Sequence, residues 1–475
     1  MNSVFKSLLL NTNHRIIIQF CVFLTVLICH QSAYSQAGGF WEFPFDGTLN
    51  DAVRDFEFSA SGDLYVVGDF TTAGGQEVNH IARWDGATWH ALGSGVNDWV
   101  YSIAILGDEV YVGGRFNQAG NVNASHIARW NGAEWSAVGG GLSGWVFDLI
   151  IHDGELFAGG RFSRVSGQPF ELGGIGRWDG QEWSSLTAGF DGVGIDGLGI
   201  DVLALASDSS FIYAGGSFRE TQGQEVSGIA RWDGMGWSSL GLGLDGTVRA
   251  IEMGLDNNLY VGGNFEKAGS VAATNVAVWK DSVWEALGDG VSNQVNAISF
   301  ASGEFFAGGA FLIQEPGDLP QSIARWTGTD WNKLGAGLAE SDVFALKERG
   351  NRLYIGGTFT EINGEESQGI ALWNTGVPTS LVPKSERSRS AIEAAYPNPF
   401  IDEISITINV ENTGQVRLAV FDMLGREVRV LEENILAQGS HTYNWQCREL
   451  PPGLYVTRLT TSTGNFIQLI MKQSS

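Results

Sequence analysis

Aromatic rings and carboxylates occur together in a few predicted loops of this 475-residue chain, a combination that could bind a sugar or a peptide. Trp99 and Trp145 each precede a predicted strand and have no counterpart in the other repeats of the chain. A long insertion and a neighbouring loop add further rings and acids. The candidate binding set is Trp99, Trp145, Phe170, Phe190, Asp191, Asp196 and Asp201. The alternative is that these rings fold onto their own loops.

Residue patterns typical of catalysis are absent from the sequence. No G-x-S-x-G, H-E-x-x-H or phosphate-binding loop occurs, and no nucleophile stands near a plausible base. Acidic residues in other predicted loops could hold a cation, but they lack the D-x-D-x-D-G spacing of calcium loops: Asp51, Asp98, Asp245 and Asp342. We therefore expect no catalytic residue, no metal and no cofactor. A polysaccharide hydrolase or lyase that uses loop carboxylates remains the alternative.

The loops connect the units of a repeat. A segment similar to YVGGRF ends at seven phenylalanines: Phe70, Phe116, Phe162, Phe218, Phe265, Phe311 and Phe359. A segment similar to IARWDG supplies seven tryptophans: Trp84, Trp130, Trp178, Trp232, Trp279, Trp326 and Trp373. Each unit contains four short strand signals, and Asp-Gly or Asn-Gly between the last two favours a type I′ turn. Four antiparallel strands in so short a unit are typical of a propeller blade, so we predict an all-β, seven-bladed β-propeller over residues 38–374.

The repeat also predicts how the propeller closes. A second tryptophan follows five residues after the first in six units, but none follows Trp373. Trp41, near the N-terminus, has the spacing to the next unit that this missing tryptophan would have. We therefore predict that an N-terminal strand completes the last blade. The long loops then share one face, where we expect the binding site.

Charge and the first segment bear on localisation. The chain has 28 basic and 53 acidic residues, a balance that argues against nucleic-acid binding. Residues 1–35 have the pattern of a secretory signal peptide: Lys6 and Arg15, then an apolar run, then small residues. A membrane anchor is the alternative. Cys447, the one cysteine outside this segment, is expected in the core.

The C-terminal part has a different composition. Residues 375–394 are rich in Ser, Pro and basic residues and are predicted to be a linker. Residues 395–475 have the alternating strands of a small Ig-like β-sandwich. Their segments YPNPF, VRLAVFDMLGREV, GSHTYNW and LPPGLYVTRL resemble the C-terminal sorting domain of type IX secretion cargo. The motif residues are Tyr396, Pro397, Asn398, Pro399, Gly425, Arg426, Gly453, Leu454 and Tyr455.

This resemblance implies the type IX secretion machinery as a partner and a secreted or outer-membrane cell-surface protein of a Gram-negative bacterium. The repeats resemble kelch-like and other secreted bacterial propellers, which implies a fold and no activity. Our functional expectation is a monomeric binding or adhesion module with a glycan or protein ligand. A structural spacer without any pocket is a third possibility.

Overall fold

The structure is a computed structural model, and it divides into two compact units, Met1–Pro378 and Thr379–Ser475. No helix occurs among the described residues, so none of them belongs to a helix that could cross a membrane. The predicted signal peptide and most of the predicted linker lie outside the described residues. The described residues are 39–45, 49–169, 171–187, 189–190, 194–195, 199–313, 321–335, 338, 341–362, 364–375, 391–396, 400, 403–410, 413–422, 426–448, 450–461 and 464–472.

The first unit contains seven four-stranded antiparallel sheets within the described ranges, each built from one sequence repeat. We number the sheets 1 to 7 and give the strands of each in order from the innermost strand outward. Sheets 1 to 4 comprise Val53–Phe58, Leu64–Gly68, Ile81–Trp84 and Trp89–Ala91; Val100–Leu106, Glu109–Gly114, Ile127–Trp130 and Trp135–Ala137; Val146–His152, Glu155–Gly160, Ile175–Trp178 and Trp183–Ser185; and Val202–Ser207, Ile212–Gly216, Ile229–Trp232 and Trp237–Ser239.

Sheets 5 to 7 comprise Thr247–Met253, Leu259–Asn264, Val276–Lys280 and Val283–Ala286; Val295–Ala301, Glu304–Ile313, Gln321–Trp326 and Trp331–Lys333; and Val343–Arg349, Arg352–Gly357, Ile370–Asn374 and Phe40–Glu42. Five two-stranded ladders extend the loops after second strands: Thr72–Ala73 with Gln76–Glu77, Gln118–Ala119 with Val122–Asn123, Glu220–Thr221 with Gln224–Glu225, Lys267–Ala268 with Val271–Ala272, and Glu361–Ile362 with Glu365–Glu366. The innermost strand of each sheet contacts that of the next, and the innermost strand of sheet 7 contacts that of sheet 1.

Sheet 7 joins the two ends of the repeat region. Its outer strand, Phe40–Glu42, is N-terminal and pairs antiparallel with Ile370–Asn374. Trp41 stands opposite Trp373, and the two ring centroids lie 5.0 Å apart. The prediction that Trp41 lies beside Trp373 is confirmed. The added strand covers the edge that Ile370–Asn374 would otherwise expose.

The Asp-Gly and Asn-Gly hairpins between third and fourth strands differ from the predicted turn type. Trp84 pairs directly with Trp89, and Gly86 alone in the Asp85-Gly86 pair has a positive φ, of 96°. A type I′ turn requires positive φ at both central residues, so the type I′ prediction is wrong. Asp85 instead precedes the turn, and its carboxylate accepts the N–H groups of Ala87 and Thr88 at 2.9 and 2.8 Å.

Tryptophans connect neighbouring sheets. The indole N–H of an outer-strand tryptophan donates to the backbone carbonyl that follows the outer strand of the preceding sheet. The bond from Trp135 to Leu92 is 2.8 Å long, and the same bond recurs from Trp183, Trp237, Trp284 and Trp331. Burial of the ring stabilises the sheet, and the hydrogen bond satisfies the buried polar atom.

The second unit contains two sheets with a shared core. One sheet comprises Ala391–Tyr396, Glu403–Val410 and Gly439–Gln446; the other comprises Glu427–Leu436, Gly414–Asp422, Gly453–Thr461 and Gly464–Lys472. Ile406 from the first sheet and Leu418 from the second belong to the same buried cluster. Cys447 lies in this cluster and is 4% exposed, which confirms its predicted place in the core.

Candidate binding site

A β-bulge directly after the first valine of each innermost strand creates the central feature of the first unit. In sheet 1 the pairing shifts between Val53 and Asp55, which leaves Arg54 as the extra residue. Equivalent shifts occur in all seven sheets. A bulge re-aims its extra side chain away from the regular alternation. All seven extra residues line one cavity: Arg54, Tyr101, Phe147, Leu203, Arg249, Asn296 and Phe344.

This cavity, the mouth, has a volume of about 370 Å³. Two further repeat positions complete its lining. The residues just before or at the start of innermost strands contribute Asp201, Thr247 and Gln294, and the residues after second strands contribute Arg161 and Ser217. The loops at this end are those between second and third strands and between successive sheets. The mouth therefore opens among the long loops, on the face where the sequence analysis placed binding.

One side of the site is a series of arginines and aromatic rings that we call the arginine–aromatic wall; its members are Arg54, Trp99, Tyr101, Arg115, Trp145, Arg161 and Phe344. Arg54 forms its first part. Its guanidinium binds both carboxylate oxygens of Asp69, at 2.5 and 2.7 Å. Its Cζ lies 5.1 Å from the ring centroid of Tyr101 and 4.8 Å from that of Phe344. A bidentate ion pair and cation–π contacts fix the guanidinium plane.

The wall continues beside the mouth through Trp99 and Trp145, which are outside the cavity lining and contact its Arg54 and Arg161. Arg115 lies over both rings, 4.4 Å from the Trp99 centroid and 5.5 Å from the Trp145 centroid, and pairs with Asp98 at 3.2 Å. Arg161 follows at 5.6 Å from the Trp145 ring. Both indoles keep part of their surface exposed. The result is an alternating series of guanidinium groups and rings across sheets 1 to 3.

The opposite wall of the mouth carries uncharged polar groups and the guanidinium of Arg249. Gln294 donates its amide N–H to Asn296 Oδ1 at 2.6 Å, and Asn296 donates to the carbonyl of Val343 at 3.2 Å. Ser217 accepts the N–H of Asp201 at 3.2 Å. These bonds hold the side chains in place around the cavity.

A buried acid cluster lies one residue further along the innermost strands. Ser102 Oγ is 3.0 Å from Asp55 Oδ2 and 3.1 Å from Asp148 Oδ1. Asp55 Oδ2 also accepts the N–H of Ile103 at 3.0 Å, and Asp148 Oδ2 accepts that of Leu205 at 2.6 Å. Each acid thus binds the backbone of the neighbouring innermost strand and links sheets 1 to 4.

Burial changes the protonation of this cluster. The side chains of Asp55 and Asp148 are partly exposed, but they lie deep among the innermost strands. Burial raises the pKa of Asp55 to about 6. Burial, together with the charge of Asp55, raises the pKa of Asp148 to about 7. Because a hydroxyl carries one proton, Ser102 can donate to only one carboxylate, and a proton on the other acid completes the second contact.

The structure separates the predicted site residues. Trp99, Trp145 and Asp201 meet at the arginine–aromatic wall, where the Asp201 carboxylate binds Arg161 at 2.6 Å. Phe190 is 2% exposed and stacks on Phe218 with centroids 3.8 Å apart, so it belongs to the core, and its inclusion in the binding set is wrong. Phe170, Asp191 and Asp196 lie outside the described residues.

Three of the four acids that could have held a cation have other partners, and one of these, Asp98, binds Arg115. Asp51 accepts the N–H of Ala52 at 2.8 Å, and Asp245 accepts the N–H groups of Glu266 and Lys267 at 2.9 and 2.8 Å. Among the described residues, no group of three or more His, Cys, Asp and Glu side chains is arranged to hold a metal ion.

The bulge residues were not among the predicted site residues. Within each repeat, the residue after the first valine of the innermost strand varies among Arg, Tyr, Phe, Leu and Asn, while the next residue is always Asp, Ser or Ala. Such variation inside an otherwise regular repeat is the signal that could have found them, because a side chain that points into a cavity is free of packing constraints.

The C-terminal unit carries the residues of the resemblance. Tyr455 is 7% exposed and donates its hydroxyl to the carbonyl of Pro451 at 2.8 Å, while Arg426 and Gly453 are exposed. Tyr396 and Leu454 belong to strands. The remaining motif residues lie outside the described part of the chain: Pro397, Asn398, Pro399 and Gly425.

Residues 394–473 match the family model described as a secretion system C-terminal sorting domain. The chain carries a type IX sorting domain. This domain implies interaction with the type IX secretion machinery and a secreted or cell-surface protein. Residues 194–345 match the Rax2 C-terminal beta propeller domain, which identifies the repeats as propeller repeats.

Comparisons over the whole chain show weaker likeness. None of the curated protein sequences matches the chain. A solved fungal alcohol oxidase of the AA5 family, in complex with copper, is 13% identical, covers 92% of this chain and 99% of its own, and gives a TM-score of 0.40. A structural genomics protein of unknown function from Bacteroides thetaiotaomicron is 10% identical, covers 72% of this chain and 99% of its own, and gives 0.33. At such scores, neither likeness supports a functional conclusion.

Proposed function

We propose that sheets 1 to 7 are the blades of a seven-bladed β-propeller over residues 38–374, closed by the N-terminal strand. The cyclic contacts of the innermost strands and the pairing of Trp41 with Trp373 support this architecture. We further propose an Ig-like sandwich over residues 395–475, a linker over 375–394 and a signal peptide over 1–35. The two sheets around one core support the sandwich.

We propose that the protein is a secreted or cell-surface binding module that takes its ligand at the mouth and catalyses no reaction. The observation that carries this proposal is the arginine–aromatic wall. Its ion pairs and ring contacts already hold Arg54, Arg115 and Arg161 in place. A ligand can therefore bind without ordering these side chains, which lowers the entropic cost of association. A spacer without a pocket would not account for the mouth.

The buried acids argue against the alternative, a hydrolase or lyase. Such an enzyme needs carboxyl groups with oxygens directed at the substrate. Asp55 uses Oδ1 to accept the N–H of Phe56 at 2.7 Å and Oδ2 to accept that of Ile103. Asp148 uses Oδ2 to accept the N–H of Leu205. Asp201 is occupied by Arg161. These carboxylates act as structural acceptors.

Binding to glycan and protein arrays tests the proposal. The full mature chain is compared with Trp145→Ala and Arg115→Ala, which remove two members of the wall. Met235→Ala is the matched control, because Met235 is 82% exposed in a hairpin turn at the opposite end of sheet 4.

We expect one or more array ligands to bind the wild type and the control equally and each wall variant at least tenfold more weakly. Unfolding temperatures measured in parallel separate lost contacts from lost folding. No binding on either array, or binding that both wall variants retain, would overturn the proposal.

A further inference from the structure

We infer that the ligand of the mouth is the end of an uncharged glycan, with a sugar ring stacked on the arginine–aromatic wall and its hydroxyls bonded to the polar wall opposite. This inference rests on the proposed function and names the chemical class of ligand for the same site. Four observations carry it: the shape of the wall, the groups that face it, the balance of charge and the size of the mouth.

The wall offers aromatic rings at two levels: Tyr101, Phe147 and Phe344 line the mouth itself, and the partly exposed indoles of Trp99 and Trp145 lie beside it. Trp99 and Trp145 stand in neighbouring sheets with Arg115 between them. The face of an aromatic ring carries negative charge in its quadrupole and attracts groups with positive edges. The C–H face of a sugar ring is such a group, and its flat shape matches an indole. Both indoles belong to loops of the long-loop face, where a ligand has access.

The opposite wall offers both donors and acceptors. Gln294 and Asn296 carry amides, and Ser217 and Thr247 carry hydroxyls. A sugar hydroxyl donates one hydrogen bond and accepts others, so a ring with several hydroxyls can satisfy this mixed set. An apolar ligand would leave the remaining donors and acceptors of these groups buried without partners, which weakens its binding. The polar wall therefore selects for a ligand rich in hydroxyls.

The charge balance favours an uncharged ligand. Three arginines of the wall each have a carboxylate partner, Arg54 with Asp69, Arg115 with Asp98 and Arg161 with Asp201, and Arg249 adds one more guanidinium to the lining of the mouth. The chain as a whole carries a formal net charge of −25. A field of this sign disfavours the approach of anions. The paired arginines serve as flat stacking partners and hydrogen-bond donors more than as receptors for an acid.

The size of the mouth limits how much of a glycan can enter. Small-molecule sites usually enclose about 300–1,000 Å³, and the mouth, at about 370 Å³, is near the lower limit. It is enclosed by the innermost strands, and the acid cluster follows directly on the bulge residues. A chain end fits such a cavity better than an internal stretch of polysaccharide.

The test is isothermal titration of the full mature chain with a panel of neutral trisaccharides: cellotriose, maltotriose, mannotriose, xylotriose and galactotriose. Trigalacturonic acid is the charged probe, and a random tripeptide pool is the probe of another class. The variants are Trp145→Ala, Trp145→Phe and Gln294→Ala, with Met235→Ala as control. Trp145→Phe retains a ring face and separates loss of stacking from loss of folding.

We expect at least one neutral trisaccharide to bind, with at least a tenfold loss in Trp145→Ala and Gln294→Ala and a smaller loss in Trp145→Phe. If trigalacturonic acid or the tripeptide pool bound more tightly than every neutral trisaccharide, and Trp145→Ala and Gln294→Ala weakened that binding, the glycan inference would be overturned and the proposed site would stand. If a probe bound and neither Trp145→Ala nor Gln294→Ala weakened its binding, both the glycan inference and the proposed site would be overturned.

Discussion

The acid cluster beneath the mouth predicts an unusual response to substitution. In the native protein, Asp148 shares Ser102 with Asp55, and its pKa is raised from 3.8 to about 7. Asparagine in its place can accept the N–H of Leu205 with its oxygen and donate its amide to Ser102. Ser102 still accepts the N–H of Leu149, at 3.1 Å. Asp148→Asn thus keeps these contacts, gives up only the bond from the Leu149 N–H to Oδ1 at 2.8 Å, and removes a buried negative charge.

The sign of the pH dependence follows from the raised pKa. Between about pH 4 and pH 7 native Asp148 binds a proton that the unfolded chain has lost, so its stabilising contribution is complete below pH 4 and disappears as the pH rises through 7. A shift of about three pKa units corresponds to about 4 kcal/mol at most. Because the cluster shares its charge with Asp55, we expect Asp148→Asn to be more stable than the wild type by about 2 kcal/mol at pH 8, or about 4 °C in Tm.

The assay is thermal and urea unfolding of the full mature chain at pH 5 and pH 8. Asp153→Asn is the control, because it makes the same change in charge at a side chain that is 86% exposed. Because pH 5 lies above the unfolded pKa of 3.8 and below the native pKa, we expect Asp148→Asn to be more stable there by about 1 kcal/mol, less than at pH 8, and Asp153→Asn to differ little from the wild type at either pH. Burial raises the pKa of Glu252 to about 7, and this titration remains in every variant. If Asp148→Asn were less stable than the wild type at pH 8, the assignment of a shared proton to this cluster would be refuted.

Three further predictions concern the sheets and the tail. Trp135→Phe should lower the free energy of unfolding by about 1 kcal/mol more than Trp89→Phe. The Trp135 indole donates a hydrogen bond to Leu92, while that of Trp89 has no partner in the described part of the chain. Urea unfolding measures the difference, and equal losses would contradict the prediction. Deletion of residues 38–46 should remove the outer strand of sheet 7 and lower the free energy of unfolding by about 3–5 kcal/mol, which is measured as a clearly lower Tm. An unchanged Tm would contradict the role of this strand in completing sheet 7. Deletion of residues 394–473 should abolish delivery to the medium and the cell surface, measured by cell fractionation, and normal delivery would mean that another segment carries the signal.

The sequence predicted the parts of the fold that repetition makes visible. The place of Trp41 beside Trp373 follows from the spacing of the tryptophans, which could be compared between the repeats of this one chain. The positions of Trp99 and Trp145 at the end of the long loops follow from the strand order. Each prediction rests on regular alternation and on loop lengths, which the primary sequence displays directly.

The missed features depend on irregular geometry. A bulge adds one residue to a strand without interrupting its apolar pattern, so Arg54 and Tyr101 read as ordinary strand residues. The contact of Asp55 with Ser102 joins two separate repeats, so it can be recognised only once the arrangement of the innermost strands is known. Phe190 lies in an inserted loop, where composition does not distinguish an exposed ring from one that packs inward.

The central claim is that the mouth, with its arginine–aromatic wall, holds the ligand. A crystal structure of the full mature chain with the tightest-binding trisaccharide tests it most directly. The account predicts a sugar ring against Trp99 or Trp145 with hydroxyls on Gln294 and Asn296. A bound sugar elsewhere, such as the crevice between sheets 1 and 2 near Asn97, with an empty mouth, would contradict it.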